Sequence, residues 1–438
     1  MRIHPLVLAR AARGMTGAGL ARAIQAAAGR RGLRSGTTRQ RVYKWEVEGV
    51  IPDPESQILI ADAFGIPADL VDPHNWPDWL PAGVIPLDRD DSTVPALREA
   101  LRTTMTRSRR TFLSAISGAA VVSLADSWAA AAPPARPADG AKNQGQWVDE
   151  EVVLLLEDTS SSLMTQATEQ RQHTAPLLLA YLERVTDLIE NSRYSEPIGL
   201  RLHGLAAHLA QTAAWHRFDL GRHDDAITLW NAGLHAARAT HDHDLGAAML
   251  GDLAYQASWR DDPRTAAGIL KQALTKARHP AAQSLLHLRL ARALAAQGER
   301  RETLRALTAA EHFLQDSSSD PKPAWCAWLG DADLAVDSGQ CLLDLGDTRR
   351  AHRLIGEGSA LLPRTRDKTR GVFLAYRAHG HLRVGEPEEG AAAATEALLL
   401  AERIGAPRCV QLVRNLVPQF KKYPTAEGVP EFLHAAAA

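Results

Sequence analysis

The chain runs to 438 residues with 50 Lys/Arg against 51 Asp/Glu, a net charge of −1. That length is too great for one compact core. Ala, Leu and Arg are abundant, β-branched residues sparse and aromatics only 5%, so the expected class is all-α. Cys326, Cys341 and Cys409 lie far apart with no CxxC or Cys/His ligand spacing, which argues against a disulfide scaffold or zinc site and fits a reducing cytoplasm.

The near-neutral total hides an asymmetry. Residues 1–50 carry ten Lys/Arg and two Asp/Glu, so the rest of the chain is acidic, as for a nucleic-acid-binding module joined to a body that does not bind nucleic acid. In chain order, Leu6, Leu8, Arg10 and Arg13 share a first predicted helix, and Gly14-Met15-Thr16 breaks the chain and caps a second helix with Leu20, Ala21 and Ile24 inward. Arg39 to Glu46 forms a third, with Val42 and Trp45 on one face and Arg39, Gln40, Arg41 and Lys44 toward solvent. Arg pairs with guanine edges and Gln with adenine, so such a helix suits a major groove. Asp53-Pro54 opens a fourth, with Ile58, Leu59, Ala61, Ala63 and Phe64 inward, stopped by Gly65 and Pro67.

The run Trp45-Glu46-x-x-Gly49-x-x-Pro52, followed by the Leu59 to Ile66 helix, resembles the Xre or lambda-repressor helix-turn-helix. The resemblance implies that Arg10 pairs with Glu46. Gln25 to Gly36 depart from it, lengthening the second helix and placing Arg30, Arg31 and Arg34 near a DNA backbone. The expected DNA contacts are Arg30, Arg31, Arg34, Thr38, Arg39, Gln40, Arg41 and Lys44. Residues 1–75 form this domain.

Residues 76–147 read as a linker, with Trp76 and Trp79 as anchors and an amphipathic helix. Ser108 to Leu113 reproduces a twin-arginine export motif, followed by the apolar run Ala115 to Ala125. Its internal position, and Asp126 in the run, favour a linker or dimerisation helix. No apolar stretch is long enough to span a bilayer, so a cytoplasmic protein is expected.

Residues 148–438 show periodicity. Gly221 leads to Ala226, Trp230 and Gly233; Ala266 to Leu270 and Ala273; Gly298 to Thr303, Leu307 and Ala310; Gly346 to Ala351, Ile355 and Gly358; Gly385 to Gly390, Ala394 and Ala397. Each Gly turns the chain between antiparallel helices, small residues let the second helix pack close, and the hairpins stack into an α-solenoid because none buries its apolar face alone. This resembles tetratricopeptide repeats at a spacing near 40. The first helix of each pair lines the inner face in that fold, which places His208, Gln211, Trp215, Tyr255, Trp259, Arg292, Asp333, Gln340 and His379 inward as expected peptide contacts. An extended peptide needs hydrogen bonds for its backbone and apolar pockets for its side chains.

Seven of the 17 histidines lie between 203 and 243, and His241-Asp242-His243-Asp244 reads as a solvated loop rather than a metal site. The chain has no phosphate-binding loop, dinucleotide fingerprint, HExxH or GxSxG, so a non-enzyme without cofactor or metal is expected. A helix-turn-helix joined to tetratricopeptide-like repeats resembles the peptide-responsive RRNPP quorum-sensing regulators, here of a high-GC bacterium. That resemblance implies a homodimer on a double-stranded operator, controlled by a signal peptide or protein segment. The alternatives are a scaffold or anti-regulator that holds a protein partner, a helix-turn-helix that binds protein, and a membrane-tethered sensor.

Overall fold

A computed structural model describes residues 4–11, 15–64, 71, 73–77, 80, 87, 92–105, 118–131, 145–165, 171–317 and 321–437. The described residues are almost wholly helical, with one isolated parallel bridge between Trp147 and Arg193. The chain divides into two compact units. Unit 1 holds residues 1–160, 178–214 and 223–242, and unit 2 holds residues 161–177, 215–222 and 243–438.

Unit 1 begins with α1 (Pro5–Ala11), α2 (Gly17–Arg30), α3 (Arg39–Val47) and α4 (Pro54–Ala63). Their ends are set by short polar side chains that accept orphan backbone N–H groups. Thr16 accepts from Gly19 N, Thr38 from Arg41 N and Asp53 from Ser56 N, with Pro54 in the first turn of α4. Leu6, Leu20, Ile24, Val42, Trp45, Ile60 and Phe64 close their common core. On α4 the expected Leu59 and Ala61 are buried, joined by Gln57 and Ile60, while Ile58 and Ala63 are only partly covered; Gln57 reaches the Pro52 and Pro73 carbonyls and fixes its face inward. Trp76 packs on the same core and on His4.

Farther along, unit 1 contains α5 (Thr93–Met105), α6 (Gly118–Ala130) and α10 (His223–Ala239). The segment expected to be a linker therefore carries two helices, and α5 lies against α10. Ser92 Oγ meets His235 Nδ1 at 2.7 Å, Thr93 donates to the His235 carbonyl, and Arg238 donates to the Leu87 carbonyl. The twin-arginine-like residues Ser108 to Leu113, and Arg13, Gly65, Pro67 and Trp79, lie outside the described residues. Three further helices, α7 (Glu150–Met164), α8 (Arg171–Asn191) and α9 (Glu196–Asp219), each run through residues of both units.

Unit 2 repeats one theme. Its hairpins are α11 (His243–Trp259) with α12 (Pro263–Leu274), α13 (Pro280–Ala296) with α14 (Arg300–Asp316), α15 (Asp331–Asp344) with α16 (Thr348–Leu361), and α17 (Asp367–Val384) with α18 (Pro387–Arg403). The short α19 (Pro407–Arg414), α20 (Val417–Phe420) and α21 (Val429–Ala437) pack on the last hairpin. First helices touch first helices in series, α11 to α13 to α15 to α17 to α19, which forms one layer. The turn glycines expected from the periodicity have positive φ, 78° at Gly298, 84° at Gly346 and 88° at Gly385, and Asp261 takes the same conformation where no Gly stands. The small residues that follow are buried as the spacing predicts: Ala266, Ala310, Ala351, Ala394 and Ala397. Helices α15 and α16 meet backbone to side chain. A Cβ on Gly358 would lie 2.7 Å from the Ala332 carbonyl, and one on Gly339 2.9 Å from that of Ala351.

Candidate functional site

The N-terminal helices place their polar residues apart from their core. Arg30, Arg31, Arg34, Thr38, Arg39, Gln40, Arg41 and Lys44 are all exposed. Arg30 ends α2, while Arg31 and Arg34 lie on the connection to α3. Arg30 and Arg31 share Asp62 at 3.4 and 3.5 Å, and Arg41 reaches Asp53 at 3.3 Å and lies over the Trp45 ring. Arg34, Arg39 and Lys44 form no ion pair among the described residues. Arg10 grips Glu46 with two hydrogen bonds, 2.5 and 3.2 Å, and donates to the Met15 carbonyl, so α1 is locked to α3.

The expected peptide contacts fall into separate groups. His208 and Gln211 belong to unit 1 and are half-buried and buried. Burial lowers the His208 pKa against the opposing pull of Asp242. Within unit 2, Trp215, Tyr255 and Trp259 do come together, joined by Phe218, with ring centroids 5.5 to 6.0 Å apart. Their centre is filled by the chain's own Arg408 from α19. Its guanidinium lies 5.1 to 5.9 Å from the four ring centroids and donates to Asp219 Oδ1 at 3.0 Å and Tyr255 Oη at 2.9 Å. Lys368 of α17 takes the other oxygen of Asp219. One carboxylate on the last turn of α9 thus binds two cations that follow it by 149 and 189 residues.

A second group lies along α13, α15 and α17. Arg292 sits over the Tyr376 ring, 5.2 Å from its centroid, and reaches Asp344 Oδ2 at 3.4 Å, while Gln340 Nε2 donates to Asp344 Oδ1 at 2.8 Å. The Gln340 Oε1 is buried with no hydrogen-bond partner among the described residues. Burial lowers the His379 pKa although Asp344 opposes it, and burial raises Tyr376 against Arg292. Asp337 feels the same enclosure: burial pushes its carboxyl up to about 6, with Arg292 pulling the other way. Asp333 belongs to neither group. It is held bidentately by Arg366 at 2.9 and 2.7 Å and accepts from Gly330 N, which ties the start of α15 to the loop before α17.

Sequence reasoning missed Arg408, Lys368, Asp219, Asp337, Asp344 and Tyr376. The positions of Asp337 and Tyr376 on first helices were a usable signal; the long-range partners left none. It also missed a compact group of His352, His381 and Glu386, whose ligand atoms lie within 4.8 Å of one another. The loop residues His241 to Asp244 do other work, with Asp244 accepting from Arg278 N and His279 N. The three cysteines are buried and free, and burial pushes Cys326 and Cys341 up to about 12, which keeps both as thiols.

The SP15 N-terminal domain family matches residues 7–67, and no curated protein matches the chain. Among solved structures, it is similar to a Rap protein complexed with competence and sporulation factor at 14% identity and TM-score 0.43, covering 66% of this chain and 98% of that one. It is also similar to a signal-transduction ATPase with a tetratricopeptide repeat sensor from Pyrococcus horikoshii, at 16% identity and TM-score 0.36, covering 60% and 39%. At these scores the fold rests on the helices themselves: an all-α chain with a repeat array. No described helix is long and apolar enough to cross a membrane.

Proposed function

We propose that the first-helix layer of unit 2 binds a peptide or protein segment and that the chain is a non-enzymatic regulator. The observation that carries this reading is polar capacity left open beside aromatic surface. The buried Gln340 Oε1 lacks a donor among the described residues, and a buried acceptor left unmade costs about 1–3 kcal/mol. The enclosed Asp337 carboxyl lies in the same region as Tyr376 and Arg292. A peptide backbone supplies N–H donors, and its side chains would rest on the rings.

The finer reading is that α2 and α3 are an Xre-type helix-turn-helix, acting as a homodimer on an operator. Its support is the exposed Arg34, Arg39, Gln40 and Lys44 on and before a capped surface helix whose opposite face is core. Arg39 and Gln40 then read bases, whereas Arg30, Arg31 and Arg34 add phosphate affinity and salt dependence. The scaffold reading shares the repeat-array half and differs only in what the DNA contact achieves.

The two halves are tested separately. In gel shifts on DNA from upstream of its own gene, Arg39→Ala should lose about 1–3 kcal/mol of specific binding, and salt-insensitive binding equal in both proteins rules out base reading. Peptides selected on the full chain from a displayed library should weaken at least tenfold in Gln340→Ala. Binders indifferent to that change, or no binders, overturn the repeat-array half.

A further inference from the structure

We propose that His352 and His381, with Glu386 behind them, form a binding site for a divalent transition-metal ion of the zinc class. His352 lies on α16, His381 in the last turn of α17, and Glu386 is the residue that caps α18 across the Gly385 turn. The imidazole centroids are 4.7 Å apart and meet edge to face, and the possible donor atoms of all three residues fall within 4.8 Å. Two nitrogens bound tetrahedrally to zinc stand about 3.3 Å apart, given bonds near 2.0–2.1 Å. That spacing falls within the 4.8 Å over which the three residues can each present one donor atom.

The hydrogen-bond pattern points the same way. His381 Nδ1 lies 2.8 Å from Glu386 Oε2. With Nδ1 turned to the Glu386 carboxylate, Nε2 is the ring nitrogen left to coordinate. That Nε2 is buried without a hydrogen-bond partner among the described residues, on a side chain only 7% exposed. A plain His–Glu link across the turn explains Nδ1 but gives Nε2 no hydrogen bond among the described residues.

A metal ion satisfies it, with Glu386 orienting the ring as the outer carboxylate of a carboxylate–histidine–metal arrangement. His352 supplies the second nitrogen, its ring set edge to face against that of His381. Solvent fills the remaining positions, since His352 is only partly covered. Imidazole donors suit zinc, nickel, cobalt or copper rather than magnesium or calcium. Arg377 is the nearby cation that opposes the ion and moderates its affinity.

The test is a titration of the full chain, stripped with EDTA and dialysed, with Co²⁺ followed by visible absorption and displaced by Zn²⁺. Wild type should take up one equivalent. His352→Ala, at the half-exposed position, should weaken it at least tenfold, and Glu386→Gln roughly tenfold to a hundredfold. The double change His241→Ala/His243→Ala should leave binding intact. Zn²⁺ should raise the melting temperature of wild type but not of His352→Ala, whose melting in EDTA should equal that of wild type. No uptake by wild type, or uptake unaltered in His352→Ala, overturns the site.

Discussion

Arginine has opposite fates in the two regions. On α2, α3 and their connection, Arg34 and Arg39 stand in solvent without an ion pair among the described residues, and Arg30 and Arg31 share one half-buried aspartate at 3.4 and 3.5 Å. In the first-helix layer of unit 2, Arg289 and Arg408 have side chains 10% and 8% exposed, each against a carboxylate that is itself covered. An exposed cation keeps a mobile counterion and can release it to a polyanion. A buried cation must have its partner supplied by the chain, and the pair then belongs to the architecture. The same residue type therefore marks a surface in one region and a fastening in the other.

Three changes would break or sharpen that contrast. The largest effect is expected from Asp219→Ala, which strips Arg408 and Lys368 of their shared carboxylate. Removing one partner of a buried pair costs about 3–5 kcal/mol, so the denaturant midpoint of the full chain should fall steeply. If it moves no more than for a surface change, the buried cations are not fastenings.

Next comes Asp337, whose folded pKa of about 6 lies above the ordinary 3.8. Between those values the folded state holds a proton that the unfolded state has lost, so stability falls as pH rises through this window and stays low above it. Asp337→Asn should therefore gain about 2–3 kcal/mol at pH 7.5, with the gain vanishing near pH 3.5. A gain independent of pH would reject the carboxylate as its source.

The smallest effect belongs to Arg10→Ala. Arg10 is partly exposed while Glu46 is nearly covered, and the loss should be about 1–2 kcal/mol. Hydrogen exchange should show it confined to α1 and α3.

Local features were the legible ones. Thr16 as a cap, Asp53 as a helix opening, the inward Val42 and Trp45, the Arg10–Glu46 pair implied by resemblance, and the turn glycines of unit 2 each follow from neighbours a few residues away or from a strong motif, whereas Thr38, expected to contact DNA, caps α3. The extension of α2 to Arg30 was readable from the alanine-rich run after Ile24. The aromatic residues were legible as a set, but their occupant was not, because nothing near Arg408 signals a partner 189 residues earlier. The same holds for His352 and His381, which are joined only when consecutive hairpins stack. Gln57 shows a subtler limit: helical spacing alone put Ile58 inward, and a polar side chain with two carbonyl acceptors took that direction instead.

A stack in which each hairpin touches only the next can melt from its ends, one repeat at a time. The clasp of Asp219 by Lys368 and Arg408 opposes that, since the turn just ahead of the hairpins is tied to α17 and α19. Loss of α19 releases the turn at Asp219 as well, so the four hairpins should unfold in one concerted step, and during synthesis that turn must wait for α17 and α19 before it is secured.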